Sequence, residues 1–300
     1  MTAELVNLKG EDLLGEGPFW DVAQSRLLWS DIKRSLIYSY DPAAQERQVI
    51  SEGVMAFGIV LNRDGALMIT TPVGLFYYAL GEKPRPVLSE LDGESLFLND
   101  AIADKHGRIY AGTVYWGADG LVKPGKLYLI DTDGSARVVA SGSGMSNGLG
   151  FSPDDSVLYY CDSYRRNIYA FDVDQESGEL RNRRVLVEIP LTEGMPDGMT
   201  VDAEGHLWSA QWYGSQVVRY DPDGKVERRI ELPVRQVASV MFGGADLDEL
   251  FITTASDPFV CSLSPPGYDY EATNIGGPMF SVRPGVKGRP EHLANIARPA

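Results

Sequence analysis

Apolar and polar residues alternate over short runs that end at turns rich in glycine and aspartate, whereas the period of an amphipathic helix is scarce. Such runs are typical of β-strands. One phrase of strand, Asp/Gly turn, aromatic-rich strand and third strand recurs six times, at intervals of roughly 40–50 residues. This recurrence predicts an all-β chain that folds as a six-bladed β-propeller. The first strands of the six copies begin near residues 15, 58, 99, 146, 196 and 239.

Six blades of four strands require about 240–300 residues, so a single propeller domain is expected to occupy residues 1–300. A propeller must also close its ring, because open sheet edges pair with other chains. Residues 4–8 read Glu-Leu-Val-Asn-Leu and could supply an outer strand to the blade built from the C-terminal segment. We therefore expect the two ends of the chain to share one blade.

Composition narrows the possible partners of this propeller. The formal net charge of −15 argues against nucleic acid and anionic membrane surfaces and would tolerate a bound cation. No apolar run approaches the eighteen residues typical of a membrane span, so a soluble, cytoplasmic chain is expected, as a monomer or homodimer. Cys161 and Cys261 lie far apart, without a CxxC or Cys/His pattern, and are expected to be reduced.

Polar residues recur at the entry of the predicted innermost strands, where a propeller opens its central channel. They are Glu16, Asn99 with Asp100, Asn147 and Asp197, each beside glycine, proline or both except in the Asn-Asp pair. Any one of them alone is more often a turn residue that satisfies its own backbone. Together they occupy the same phase of four repeats, and their oxygen atoms suit Ca²⁺, Mg²⁺ or Mn²⁺. The pattern predicts a divalent-metal site in the central channel.

The same segments carry a family resemblance over nearly the whole chain. They resemble the SMP-30/gluconolactonase/luciferin-regenerating-enzyme family, whose last blade is also similar to residues 242–254 here. The resembling segments are Leu-Gly-Glu-Gly-Pro at 14–18, Asn-Asp at 99–100, Ser-Asn-Gly-Leu-Gly-Phe-Ser-Pro-Asp at 146–154 and Pro-Asp-Gly-Met at 196–199.

The resemblance implies a six-bladed propeller that opens a lactone with the help of one divalent cation. By motif, Glu16, Asn147 and Asp197 would ligate the cation, Asn99 would contact bound water or substrate, and Asp197 would also act as general base. Members of the family work with Ca²⁺, Zn²⁺, Mn²⁺, Mg²⁺ or Fe²⁺, so the metal stays open. The implied partner is a small-molecule lactone.

Two positions depart from the pattern that the family uses for sugar lactones. Phe97 stands where an arginine commonly precedes the Asn-Asp motif, and the stretch around Trp116 lacks the glutamate found in some members. With Trp20, Tyr164, Trp212 and Tyr213 near blade entries or loops, the mouth of the channel is expected to be aromatic. Phe97 and Trp116 could pack loops, or they could bind a substrate less polar than an aldonolactone.

Two other functions stay open at this point. A phosphotriesterase could use the same oxygen-ligated cation on a related architecture. A non-catalytic, metal-binding regulatory propeller is the alternative from a different class.

Overall fold

The protein, described by a computed structural model for residues 3–6, 10–117, 120–259 and 261–300, is built from six four-stranded antiparallel sheets. The first three blades contain β2 (Gly15–Asp21), β3 (Arg26–Asp31), β4 (Leu36–Asp41) and β5 (Glu46–Glu52); β6 (Ile59–Leu61), β7 (Leu67–Thr71), β8 (Gly74–Tyr78) and β9 (Arg85–Leu88); and β12 (Leu98–Ala103), β13 (Ile109–Thr113), β16 (Gly125–Ile130) and β17 (Ala136–Ser143). Two small hairpins flank the third blade, β10 (Glu90–Leu91) with β11 (Glu94–Ser95) and β14 (Trp116–Gly117) with β15 (Gly120–Leu121).

The other three blades follow the same order. They contain β18 (Ser146–Phe151), β19 (Val157–Asp162), β20 (Asn167–Val173) and β21 (Leu180–Glu188); β22 (Met195–Val201), β23 (Leu207–Trp212), β24 (Gln216–Tyr220) and β25 (Val226–Glu231); and β26 (Val237–Gly243), β27 (Glu249–Thr254), β28 (Phe280–Val282) and β1 (Glu4–Leu5). A single-turn 3₁₀ helix spans Leu191–Glu193. No helix in the described part of the chain is long and apolar enough to cross a bilayer.

The innermost strands form a closed ring around the channel. Each contacts the innermost strand of the next blade, and β26 contacts β2. The predicted six-bladed propeller is confirmed. The N-terminal strand also closes the last blade as predicted, since Glu4 pairs with Ser281 and Leu5 with Phe280 in antiparallel register. Asn7 and Leu8 of the predicted closing strand lie outside the described residues.

Aromatic rings fill the spaces between neighbouring blades. Trp208 and Phe242 meet edge to face with their centroids 5.7 Å apart, joining the fifth blade to the sixth. Trp20 stacks on Phe251 at 5.9 Å and only 4% of its surface is exposed. The expectation that Trp20 belongs to the aromatic mouth is therefore wrong. Although Trp20 lies near a blade entry in the sequence, its side chain is on the face of β2 that packs against the sixth blade.

The C-terminal segment after β28 crosses the face of the propeller opposite the blade entries that carry Glu16 and Asp197. It is hydrogen-bonded to several blades: Ala294 N donates to Leu61 O, Asn295 N donates to Gly107 O, and Lys287 O accepts from Ala203 N. This strap adds a second closure to the one made by β1. It also brings Glu291 beneath the channel, where Thr200 Oγ1 donates to its carboxylate over 3.3 Å.

Candidate metal centre and substrate cavity

A β-bulge interrupts the innermost strand in each blade that supplies a predicted polar site residue. One extra residue on the inner strand shifts the register against its neighbour, and bulges of this kind change the direction of side chains. The shifts fall between Glu16 and Phe19 in β2, Leu98 and Ala101 in β12, Ser146 and Leu149 in β18, and Pro196 and Met199 in β22.

Glycine is required at two of these bulges because neighbouring inner strands approach closely. A Cβ atom on Gly148 would lie 2.5 Å from Met199 N, and one on Gly198 would lie 1.9 Å from Ser239 Oγ. The glycines that follow Asn147 and Asp197 therefore let three inner strands converge on the channel. The close approach of the inner strands explains why the Asn-Gly and Asp-Gly pairs recur at the same position of successive repeats.

The bulges direct the predicted site residues into one cavity of 340 Å³ at the mouth of the channel. Its floor carries two carboxylates and two amides from four different blades, and its wall contains the two aromatic residues singled out in the sequence. The predicted residues that line it are Glu16, Phe97, Asn99, Trp116, Asn147 and Asp197.

Hydrogen bonds fix both amides of the floor. Asn99 Nδ2 donates to Ser146 O over 2.8 Å and to Asn147 Oδ1 over 3.1 Å. Asn147 Nδ2 in turn donates to Ser163 Oγ over 2.9 Å. Since both amide nitrogens donate within the protein, Asn99 Oδ1 and the second lone pair of Asn147 Oδ1 are the acceptor sites left for a ligand in the cavity. Sequence inspection missed Ser163, because it follows a strand end and carries no motif of its own.

The two carboxylates of the floor are held in an unfavourable environment for negative charge. Removal from bulk water raises the pKa of Glu16 well above its ordinary value, and the charges of Asp197 and Asp100 raise it further. Burial likewise raises the pKa of Asp197, with Asp100 adding to the effect. Among the residues that the structure describes, no lysine or arginine forms an ion pair with either carboxylate. A divalent cation would supply the missing positive charge.

The donor set also fits such a cation. Two carboxylates and two amide oxygens are hard ligands of the type that Ca²⁺, Mg²⁺ and Mn²⁺ take in proteins. Glu16, Asn147 and Asp197 would hold the ion, with Asn99 beside Asn147. No thiolate or imidazole belongs to the described lining of this cavity.

The side chains of Asn99 and Asp100 line different cavities, although the two residues are adjacent and form one motif in the sequence. Asp100 lines a second cavity of only 40 Å³, deeper in the channel, together with Glu291. Burial is the main cause that raises the pKa of Asp100 to about 6, and the charge of Glu291 contributes. The bulge at this point directs successive side chains to different levels of the channel.

Aromatic rings form the wall above the floor. Phe97 meets Phe57 edge to face with a centroid distance of 5.3 Å, and Phe259 lies 6.1 Å from Trp116 and 6.4 Å from Trp212. The expectation of an aromatic mouth holds for Trp212, which lines the cavity. Tyr164 and Tyr213 are absent from the described lining. Tyr164 packs behind Trp116, and Tyr213 packs against Tyr268.

A cluster of metal-binding side chain types also occurs far from this cavity. Asp202, Glu204 and His206 place one potential ligand atom each within 4.8 Å of the others in the turn between β22 and β23. Asp202 Oδ2, however, already accepts from Trp208 Nε1 over 2.9 Å and from Arg219 Nη2 over 2.7 Å. Asp202 is therefore already engaged in an ion-pair network that anchors the turn, and the cavity at the channel mouth is the better candidate for a metal centre.

Comparison with known proteins gives a family match that includes the floor residues of this cavity. Residues 14–256 match the family described as SMP-30/gluconolactonase/LRE-like region. The chain is 37% identical over 284 residues to pentonolactonase XacC of Haloferax volcanii, covering 94% of this chain and 95% of that protein. The name of this relative supports the lactonase predicted from the sequence.

Solved structures agree over almost the full length. A luciferin-regenerating enzyme aligns with a TM-score of 0.89 at 25% identity, covering 98% of this chain and 99% of the other. A calcium-binding regucalcin of Agrobacterium tumefaciens aligns with a TM-score of 0.81 at 26% identity, covering 97% of each chain. The sequence, the fold and these matches together establish that the chain belongs to the SMP-30/gluconolactonase/luciferin-regenerating-enzyme family.

Proposed function

We propose that the protein hydrolyses a small lactone to its hydroxy acid in the cavity at the channel mouth, with one divalent cation held by Glu16, Asn147 and Asp197. One observation carries the proposal. Two carboxylates and two oriented amides from four blades converge on the floor of one cavity, and none of the described basic residues neutralises them. Relatives named as lactonases support the reaction class.

Glu16, Asn147 and Asp197 would hold a divalent cation, which would supply polarisation of the lactone carbonyl and stabilisation of the negative charge that develops on its oxygen. Asp197 supplies the general base, because its carboxylate faces the cavity and accepts no hydrogen bond from the described residues. It takes a proton from the attacking water as the C–O bond to water forms, and the ring C–O bond then breaks to release the alkoxide. The alkoxide takes the proton back from Asp197 and becomes the hydroxyl group of the product, which restores the Asp197 carboxylate.

Asn99 holds the water or the substrate in place beside the base. Its Nδ2 is committed to Ser146 O and Asn147 Oδ1, so Oδ1 is the atom that accepts a hydrogen bond from a ligand in the cavity. Glu16 faces the same floor and keeps the site neutral when a dication is present. The substrate therefore needs no net charge to bind.

The decisive experiment is a substrate panel on protein stripped with a chelator and reloaded with Ca²⁺, Mg²⁺, Mn²⁺ or Zn²⁺. Sugar, aliphatic and aromatic lactones are compared with an organophosphate triester. The proposal expects lactone opening that returns on reloading and little triester cleavage. Preferential triester cleavage would support the phosphotriesterase alternative, and cation binding without any turnover would support the regulatory one.

A pair of matched variants tests the role of Asp197. Asp197→Asn removes the base while retaining the shape of the side chain, and should reduce kcat by about 10²–10⁴-fold. Asp223→Asn makes the same change at an acid of the same blade whose side chain is 80% exposed in the turn between β24 and β25. It should leave kcat unchanged. Equal turnover by both variants would rule out Asp197 as the base.

A further inference from the structure

Aromatic residues dominate the wall of the cavity above its floor. Phe57, Phe97, Trp116, Trp212 and Phe259 line it together with two methionines, and Lys33 and Asp257 are the charged residues of the described lining outside the floor. Among the described residues, side chains able to bind a row of sugar hydroxyls are scarce on this wall, because the polar groups are concentrated at the floor and in that one ion pair. A substrate that fills the cavity must therefore place apolar surface against the rings.

Hydrogen bonds hold the loop that carries one of these rings, Phe259. The loop that carries Phe259 is anchored by Gln236, which is fully buried. Gln236 Nε2 donates to Ala255 O over 3.0 Å and to Asp257 O over 2.9 Å, and its Oε1 accepts from Phe259 N over 3.1 Å. The hydroxyl of Tyr213 also donates to Phe259 O. The part of the aromatic wall that Phe259 contributes is therefore anchored by the protein itself, without a substrate.

Charge at the rim is neutralised within the protein. Lys33 is the one basic side chain among the described residues that line the cavity, and its Nζ lies 2.9 Å from Asp257 Oδ2. No described cation is left unpaired on the wall to receive a carboxylate or phosphate. With a dication bound, the two floor carboxylates are neutralised, so the floor offers no net positive charge to an anionic substituent either.

We propose that the preferred substrate is an uncharged lactone whose ring carries an apolar substituent, with Phe97, Trp116 and Phe259 as the residues that determine this preference. The lactone group would lie on the polar floor and the substituent along the rings. The proposal rests on the lactonase function proposed above and specifies its substrate class.

Wild-type kinetics with a homologous series test this substrate class directly. The probes are γ-butyrolactone, γ-valerolactone, γ-hexalactone and γ-octalactone, with D-xylono-1,4-lactone and γ-carboxy-γ-butyrolactone as the polyhydroxylated and anionic comparisons. Each added carbon that reaches the wall should raise kcat/KM by about fourfold, the effect of burying one methylene. The carboxylated lactone should be the slowest of the six.

The possible results distinguish an error in the substrate class from an error in the proposed lactonase function. If kcat/KM is flat or falls along the alkyl series, or if D-xylono-1,4-lactone is preferred by tenfold or more, the substrate class is wrong and lactone hydrolysis stands. If the cation-loaded wild-type protein opens no probe faster than the same buffer does without protein, the lactonase proposal itself fails.

A substitution in the aromatic wall provides a second test of the substrate class. Trp116→Ala should reduce the gain in kcat/KM per added carbon to about twofold, chiefly by raising KM for γ-octalactone. Val122→Ala is the control at the same hairpin, because Val122 is 71% exposed and lies outside the described lining. It should retain the fourfold gain. A slope unchanged by Trp116→Ala would contradict the role of that ring.

Discussion

Asn147 donates through Nδ2 to Ser163 Oγ over 2.9 Å, and this bond sets which way the amide oxygen points. The hydroxyl of Ser163 donates in turn to Pro196 O over 2.5 Å, next to Asp197 in the following blade. Ser163 is fully buried. It therefore connects two of the proposed cation ligands from behind, as partners of metal ligands commonly do.

Replacement of Ser163 by alanine should weaken cation binding more than it weakens the fold. We expect the Kd for Ca²⁺ or Mn²⁺ to rise at least about tenfold, because Asn147 loses its orienting partner. The free energy of unfolding of the chelated protein should fall by about 1–2 kcal/mol, since two buried groups lose a hydrogen bond. Calorimetric titration and denaturant unfolding measure the two quantities.

Ser51→Ala is the matched control for this variant. Ser51 is a buried serine whose Oγ lies 2.7 Å from the hydroxyl of Tyr78, on the outer side of the first blade. Its loss should cost similar stability and leave the Kd unchanged. Equal Kd values for the two variants would show that Ser163 has only a structural role.

Gly148→Ala should destabilise the protein by about 3 kcal/mol, because the new methyl group would lie against the backbone of Met199 and Asp197. Gly53→Ala introduces the same methyl group where no atom lies within 4 Å and φ is 75°. It should cost only the backbone strain, about 1 kcal/mol. Denaturant unfolding of both chelated variants checks the difference. Similar costs would mean that the inner strands can separate without penalty.

Asp12→Asn should change how stability depends on pH. Burial is the main cause that raises the pKa of Asp12 to about 6, although Arg47 and Trp29 bond to its carboxylate. A raised pKa in the folded state stabilises the protein at low pH, and this contribution is lost as the pH rises through about 6.

The free energy of unfolding of the wild type, relative to Asp12→Asn, should therefore fall by about 1 kcal/mol between pH 5 and pH 7.5. Urea unfolding of both proteins at several pH values within this range gives the difference directly. A difference that increases with pH would mean that the bonds from Arg47 and Trp29 outweigh the cost of burial.

The repeat pattern was sufficient to predict the propeller because each blade repeats one local arrangement of strands and turns. The polar positions at 16, 99, 147 and 197 could also be recognised, since each inner strand bulges at the same place and Gly148 and Gly198 permit the close approach. The spacing of residues along the chain is sufficient to predict these positions, and no long-range contact has to be known.

Features that depend on distant contacts were missed. Phe259 reaches Trp116 across the channel from a loop of another blade, and Glu291 enters the channel from the C-terminal strap. The expectation that Trp20 lies at the mouth is wrong because its position in the sequence does not reveal which strand face packs on the sixth blade. The orientation of Asp100 depends on the geometry of the bulge in β12, which the Asn-Asp motif does not specify.

The most direct test of the account measures cation binding and lactone turnover in the same samples. Chelator-treated protein is titrated with Ca²⁺ or Mn²⁺ by calorimetry, and the turnover of one lactone is measured at each ratio. We expect one ion per chain, turnover in proportion to occupancy, and a Kd at least tenfold higher for Glu16→Gln. Full turnover in the metal-free protein, or a Kd unaffected by Glu16→Gln, would contradict this expectation.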